Sequence, residues 1–272
     1  MKSPLPKVVH PVLGVPMVIR VVRQAVEAGL DRSIVVVGYS RESVIPLLSE
    51  EGASWAVQEE QLGTAHAVTC GMKDVSAESV TVLLGDVPLL KSCTISKLEE
   101  SRRKAGAAIA VLSTCPPDPS GYGRIIRDSD LLRAIVEERD CTPRQLEIGE
   151  IKPGLMSFDG GVLPELLREI STDNDQGEYY LTDAVSIAVN RGMPCISVLA
   201  GDYREVSGVN NRVQLACATE NLLKQVLDAC MISGVNIPDP GGVWIEESVD
   251  IGTGVSIGRS TRLSGKTVIG DN

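Results

Sequence analysis

Aromatic side chains are scarce: one Phe, two Trp and five Tyr occur in 272 residues. The core must therefore be aliphatic, built from Val, Ile, Leu and Ala. Histidine occurs only twice, at His10 and His66, and no Ser-His-Asp or Cys-His constellation stands out. Chemistry through a protein nucleophile is not suggested. There is no CxxC among the seven cysteines Cys70, Cys93, Cys115, Cys141, Cys195, Cys217 and Cys230, and their number is odd. That speaks against both a disulfide framework and a zinc site; reduced, mostly buried thiols are expected. No apolar run approaches the roughly 20 residues that span a bilayer. The opening MKSPLPKVVHPV carries two early prolines and no signal-peptide apolar stretch, so no membrane partner and a cytoplasmic location are expected. Positive charge is also short, with 26 Lys and Arg against 36 Asp and Glu and a net charge of −10. Non-specific nucleic-acid binding needs clustered cations and is excluded as the main activity. A phosphorylated ligand stays open if the few cations converge or a divalent metal screens the charge.

What is present is alternation. Ser33 to Tyr39 (SIVVVGY) is a continuous β-branched run of the buried-strand type, preceded by a helical spacing of apolar residues from Met17 to Ala28 that stops at Gly29. Ser79 to Leu84 reads as a second strand ending in Gly85-Asp86, Ala107 to Leu112 as a third, and Leu132 to Glu137 and Gly154 to Phe158 as two more. Ile95 to Lys104, Leu181 to Asn190 and Val213 to Met231 read as helices. Strands alternating with helices predict an α/β fold with a doubly wound, mostly parallel sheet, whose ligands sit at the carboxyl ends of the strands. Gly85 and Asp86 fall there.

The pattern changes after Pro238-Asp239-Pro240-Gly241. Ile245, Ile251, Ile257, Leu263 and Ile269 recur every six residues, with Val243, Val249, Val255, Thr261 and Thr267 two positions earlier. A strict period of six is the signature of a hexapeptide β-helix. Five hexads fill fewer than two triangular coils, so an open edge and a truncated solenoid are expected. The expected divisions are 1–210 for the α/β part, 211–236 for a linker helix and 237–272 for the start of the β-helix.

Short strings then occur in an informative order: Leu5-Pro6-Lys7-Val8, QEEQLGTAHA from Gln58, Gly85-Asp86-Val87-Pro88-Leu89, GYGRI from Gly121, Ile135-Val136-Glu137-Glu138, QGEYYLTD from Gln176 and GVNNR from Gly208. Together, and followed by hexads, they resemble the bifunctional N-acetylglucosamine-1-phosphate uridyltransferase / glucosamine-1-phosphate acetyltransferase family from Pro4 to the last residue. The resemblance implies a nucleotide-diphospho-sugar transferase fold, followed by the start of a left-handed parallel β-helix. It implies a reaction in which UTP and N-acetylglucosamine 1-phosphate give UDP-N-acetylglucosamine and pyrophosphate, with Mg2+ as cofactor. The sugar phosphate oxygen attacks the α-phosphorus in line, so the protein's work is positioning and charge neutralisation. The family also forms trimers through its β-helix.

Residue by residue, the resemblance makes Asp86 a Mg2+ ligand, the alternative being a turn or cap residue, and Asn210 a second ligand, the alternative being a turn asparagine. Lys7 matches the phosphate-contacting lysine; otherwise it is a solvated terminal lysine. Gln58, Gly63 and Thr64 match uracil-recognition positions, with Thr64 equally able to cap a helix. His66 reads as a structural helix residue. Gly85, Gly123, Glu137, Tyr180 and Thr182 match substrate-binding positions. Glu137 could instead be a surface carboxylate, and Thr182 and Asp183 could cap the helix that follows.

Two departures stand out. The family opens with a strand and a glycine-rich loop, LAAGxGTRM, and Met1 aligns with its last residue, so neither the strand nor the phosphate-cradling glycines fall within these residues. An internally assigned start codon, a fragment or a degenerate protein would each account for this, the coincidence of Met1 with the motif's Met favouring the first. On any of them the chain is expected to be inactive or weak as it stands, with unpaired neighbouring strands. The second departure is Lys152, which stands where the family has a sugar-binding Asn in an EIN string. Lysine has no acceptor and carries a charge, so it is expected to pair with Glu137 or touch a phosphate, and to alter sugar selectivity. Competing readings are a hexapeptide acyltransferase whose active site lies outside this sequence, and a non-catalytic protein that keeps the fold.

Overall fold

In the computed structural model of the chain, residues 1–128 and 131–272 are described. The elements run β1 (Pro11–Val12), β2 (Val15–Pro16), α1 (Met17–Glu27), β3 (Ile34–Val37), α2 (Ile45–Glu50), β4 (Ser54–Val57), α3 (Thr64–Gly71), β5 (Ser79–Val82), α4 (Ser92–Lys104) and β6 (Ile109–Ser113). There follow β7 (Gly123–Asp128), β8 (Leu131–Val136), α5 (Pro143–Leu146), β9 (Ile151–Lys152), β10 (Met156–Asp159), α6 (Leu163–Glu169), α7 (Asp183–Asn190), β11 (Cys195–Leu199) and α8 (Arg212–Ile232). The chain ends with β12 (Trp244–Ile245), β13 (Asp250–Ile251), β14 (Arg262–Leu263) and β15 (Val268–Ile269). It divides into two compact units, Val18–Gly208 and Met1–Met17 together with Val209–Asn272.

In the larger unit the strands do not form the one mostly parallel sheet expected. A four-stranded sheet has the order β11-β6-β10-β5, a parallel pair joins β3 to β4, and an antiparallel trio has the order β8-β7-β9. β10 runs antiparallel to both β5 and β6, while β11 runs parallel to β6, so this sheet is mixed. The apolar runs announced buried strands without announcing their direction, because MSFD and IAVLS bury their side chains equally whichever way they run. β6 lies at the centre, every residue of Ile109–Ser113 being buried. Among the described strands, β3 pairs only with β4 and β5 only with β10. Helix α3 reaches both: a side-chain carbon on Gly71 would lie 3.0 Å from Val36 of β3, and Val68 and Met72 pack in the cluster that holds Val80 and Val82 of β5.

Helix α4 shows how polarity is handled inside. It buries Ile95, Leu98 and Arg102 on one face. A buried guanidinium is costly unless its N–H groups are used. Arg102 donates to Ser157 Oγ at 3.2 Å, Ala107 O at 3.3 Å and Ser79 Oγ at 3.0 Å, tying α4 to β10 and β5.

In the second unit, β1 and β2 form a tight hairpin pairing Val12 with Val15. Its two turn residues, Leu13 and Gly14, both have positive φ (47° and 86°), as a type I′ turn requires. Trp244 pairs in parallel with Arg262 and Asp250 with Val268, an offset of eighteen residues and thus three hexads per turn. Val243, Ile245, Val255 and Ile257 are buried, while Ile251, Leu263 and Ile269 are partly covered. The guanidinium of Arg262 stacks 4.8 Å from the Trp244 ring centroid.

The cysteines are all unpaired, and the expectation that most are buried fails: only Cys195 is buried, while Cys93, Cys115 and Cys217 are exposed. Among the described residues no helix is long and apolar enough to cross a membrane.

Candidate functional site

Four sequence strings meet at one point of the larger unit. Gly123 opens β7 and pairs across the sheet with Lys152 of β9. A side-chain carbon on Gly123 would come 3.2 Å from Glu137 Oε2, so glycine leaves room for that carboxylate where the chain exits β8. Glu137 Oε1 accepts a hydrogen bond from Thr182 Oγ1 at 3.1 Å. Glu137 is half-buried. Thr182 sits at the N-cap position of α7, but its hydroxyl makes no cap bond; it is turned to Glu137 instead. Burial lowers the pKa of the Lys152 ammonium, and the Glu137 carboxylate opposes that shift. Tyr180 is buried, its hydroxyl takes a hydrogen bond from Gln176 Nε2 at 2.5 Å, and burial raises its pKa.

One group here escaped the sequence reading. Asp183 opens α7, and burial, helped by the carboxylates of Glu137 and Asp140, pushes its pKa up to about 6. Acids crowded this way are frequent where a protein binds or reacts. The signal lay in the LTD string, read as a possible helix cap.

A second cluster surrounds Gln58, which is buried at the end of β4. Its Nε2 donates to Gly63 O at 3.1 Å and meets His66 Nδ1 at 3.1 Å. Gly63 has φ +110°, and a side-chain carbon there would collide with the Tyr179 backbone, 2.6 Å from its carbonyl oxygen. Its glycine is thus required by the close approach of another chain segment. Thr64 is the first residue of α3 rather than its cap, and its Oγ1 accepts from Leu181 N at 3.0 Å. With Tyr179 N donating to Leu62 O (2.8 Å) and Ala65 N to Tyr179 O (2.9 Å), these bonds zip QLGTAHA to QGEYYLTD.

Gly85 and Asp86 follow β5 in a turn closed by Val87 N donating to Leu84 O at 3.3 Å. A side-chain carbon on Gly208 would lie 3.7 Å from Asp86 Oδ2, and Gly208 N donates to Tyr122 Oη at 3.2 Å. Tyr122, inside GYGRI, is another residue to which the sequence gave no role.

In the smaller unit Lys7 begins a short 3-10 helix, and its Nζ donates to Asn210 Oδ1 at 2.8 Å. Of the Asn pair, Asn211 caps α8, accepting from Gln214 N at 2.9 Å in a capping box. That frees the Asn210 side chain for Lys7. Asn210 N is held by Gln214 Oε1 at 2.7 Å.

Among the described residues no group of three or more His, Cys, Asp or Glu could hold a metal by itself.

Proteins named bifunctional protein GlmU match nearly all of the chain. That of Carboxydothermus hydrogenoformans is 44% identical over 271 residues, covering 99% of this chain and 60% of that protein. That of Corynebacterium jeikeium is 41% identical, covering 100% and 57%. That of Caldanaerobacter subterraneus is 44% identical, covering 100% and 60%. The chain thus spans about 60% of the length of the curated relatives it matches. A solved UDP-glucose pyrophosphorylase, complexed with UDP-glucose, superposes with a TM-score of 0.65 over 81% of this chain and 91% of its own, at 18% identity, which shows a shared nucleotide-diphospho-sugar transferase fold. Residues 1–140 match the MobA-like NTP transferase domain, and the chain belongs to that family.

Proposed function

We propose that the chain is the uridylyltransferase part of a bifunctional enzyme, joining UTP to N-acetylglucosamine 1-phosphate with release of pyrophosphate. The observation that carries this reading is the meeting of Glu137, Thr182, Gly123 and Lys152, drawn from four separate strings, at a point rich in hydroxyl-binding groups. Support also comes from the near full-length similarity to bifunctional GlmU proteins and from a fold shared with a protein that holds UDP-glucose.

In this reading Gln58, Gly63 and Thr64 hold the uracil, while Gly123, Glu137, Lys152, Tyr180 and Thr182 hold the sugar. Glu137 accepts from sugar hydroxyls through its side-chain oxygens. Gly85 lets the backbone beside Asp86 come close to the substrate. An oxygen of the sugar phosphate attacks the α-phosphorus of UTP, and the bond to the departing pyrophosphate breaks in line. Lys7 neutralises charge gathering on the phosphates. Asp86 and Asn210 are the proposed protein ligands of Mg2+, which when bound supplies charge neutralisation on the triphosphate. The hexads are proposed to begin a left-handed parallel β-helix, for which the eighteen-residue pairing offset is the support.

The test is pyrophosphate release from UTP, Mg2+ and N-acetylglucosamine 1-phosphate. It is run on the 272-residue chain and on the same chain extended by a strand and loop of the LAAGxGTRM type. The extended chain is expected to turn over and to lose at least about a hundredfold in kcat on Asp86→Asn. β3 and β5, each paired on one side only among the described strands, offer edges for the added strand. No turnover by either protein would overturn the uridylyltransferase reading in favour of a non-catalytic one.

A further inference from the structure

Its hydrogen-bond partners fix which way round the Gln58 amide sits. Gly63 O is a carbonyl and can only accept, so the group 3.1 Å from it must be the amide N–H2. The second hydrogen of that nitrogen is directed at His66 Nδ1, also 3.1 Å away. A nitrogen that receives a hydrogen bond cannot carry a proton of its own. His66 must therefore hold its proton on Nε2, the nitrogen that lies 3.8 Å from Cys70 Sγ one helical turn on. Both N–H groups of Gln58 are then committed, and among the described residues no donor is recorded to its Oε1. A buried amide in this state can show a ligand only an acceptor.

We propose that His66 is a positioning residue that locks Gln58 as an acceptor-only reader, and so makes the site select a base with an N3–H. This rests on the reading of Gln58 as a base-recognition residue. Uracil carries a hydrogen on N3 and satisfies the locked oxygen; cytosine presents a lone pair there and is repelled. Accepting cytosine would require the amide to turn over, which sets Oε1 against Gly63 O, acceptor facing acceptor. A change of tautomer at His66 cannot repair that contact, because it leaves the carbonyl unmet. Gly63 itself cannot withdraw: its neighbours bond to the Tyr179 backbone on both sides. His66 thus acts through Gln58 without touching the base.

The test has two parts, each on the full chain. First, with only two histidines present, imidazole 15N NMR is expected to show His66 protonated at Nε2 and bare at Nδ1, with His10→Gln settling the assignment. The opposite tautomer would overturn the proposal without touching the base-site reading. Second, UTP and CTP are titrated calorimetrically in the presence of Mg2+. UTP is expected to be preferred, His66→Phe to narrow the UTP/CTP ratio of affinities by about tenfold, and His66→Asn, whose Oδ1 restores an acceptor near the Nδ1 position, to recover it. A preference for UTP that survives His66→Phe unchanged would refute the role of His66 and leave the base site standing. No preference for UTP in the unsubstituted chain, or no binding of either nucleotide by that chain and by its form extended with the LAAGxGTRM strand and loop, would overturn both.

Discussion

The loop around Gln58 and the strands around Glu137 do similar jobs with opposite means. The first is held by neutral groups: two amide hydrogens, a carbonyl, an imidazole and a backbone zip between Leu62, Ala65 and Tyr179. The second is held by charges, with Glu137, Asp140, Lys152 and Asp183 influencing one another across a partly buried patch. A neutral lock is set by shape and hydrogen-bond complementarity. A crowded set of charges is set by proton count and should respond to pH. Each of the following substitutions strikes one side of that contrast.

Gly63→Ala should have the largest effect. The added carbon meets the Tyr179 carbonyl at 2.6 Å in a backbone conformation with φ +110°. A loss of about 3 kcal/mol in urea unfolding is expected. A loss below about 1 kcal/mol would mean that the Tyr179 backbone can give way and that this side is not set by shape. Asp183→Asn should come next, with opposite sign. A carboxyl whose pKa rises from 3.8 to about 6 on folding destabilises the fold as pH rises through that window and by a constant amount above it. The amide variant should therefore be more stable by about 2 kcal/mol above pH 6, allowing for partial exposure, and no more stable below pH 4. A gain that is flat with pH would remove the carboxylate crowding from the account. The smallest effect belongs to Lys152→Asn. It exchanges a donor-only cation for an amide that both donates and accepts. In the extended, active protein the ratio of kcat/KM between N-acetylglucosamine 1-phosphate and its deacetylated analogue should change by about tenfold, with KM for UTP unmoved. Identical specificity constants would show that Lys152 does not face the sugar.

Legibility in the sequence followed the range of the interactions. The hexads were readable because each is a local repeat, and Ile245 and Ile257 went inward as the period required. Helix α1 began at Met17 and gave way near Gly29 as its spacing and glycine implied. The sheet arrangement was not readable. Whether Met156–Asp159 runs with or against Ile109–Ser113 is decided by long connections, not by either strand's composition. At the site, residue types were legible and their partners were not. Thr64 and Thr182 both looked like helix caps, yet one hydroxyl accepts from Leu181 N and the other donates to Glu137, partners 117 and 45 residues away in the chain. The raised pKa of Asp183 likewise arises from distant neighbours, Glu137 and Asp140, and only folding brings those together.

The division of labour between Asn210 and Asn211 makes chain length itself a requirement. Asn211 fixes where α8 starts, and Asn210 reaches Lys7 from the position just before. One residue inserted between them would leave the helix, the hexads and every side chain named above intact, while displacing the Asn210 amide by up to one Cα step, about 3.8 Å. That shift exceeds the whole 2.8 Å length of its bond to the lysine. A homologue carrying such an insertion would pass any inventory of essential residues and still lack the contact.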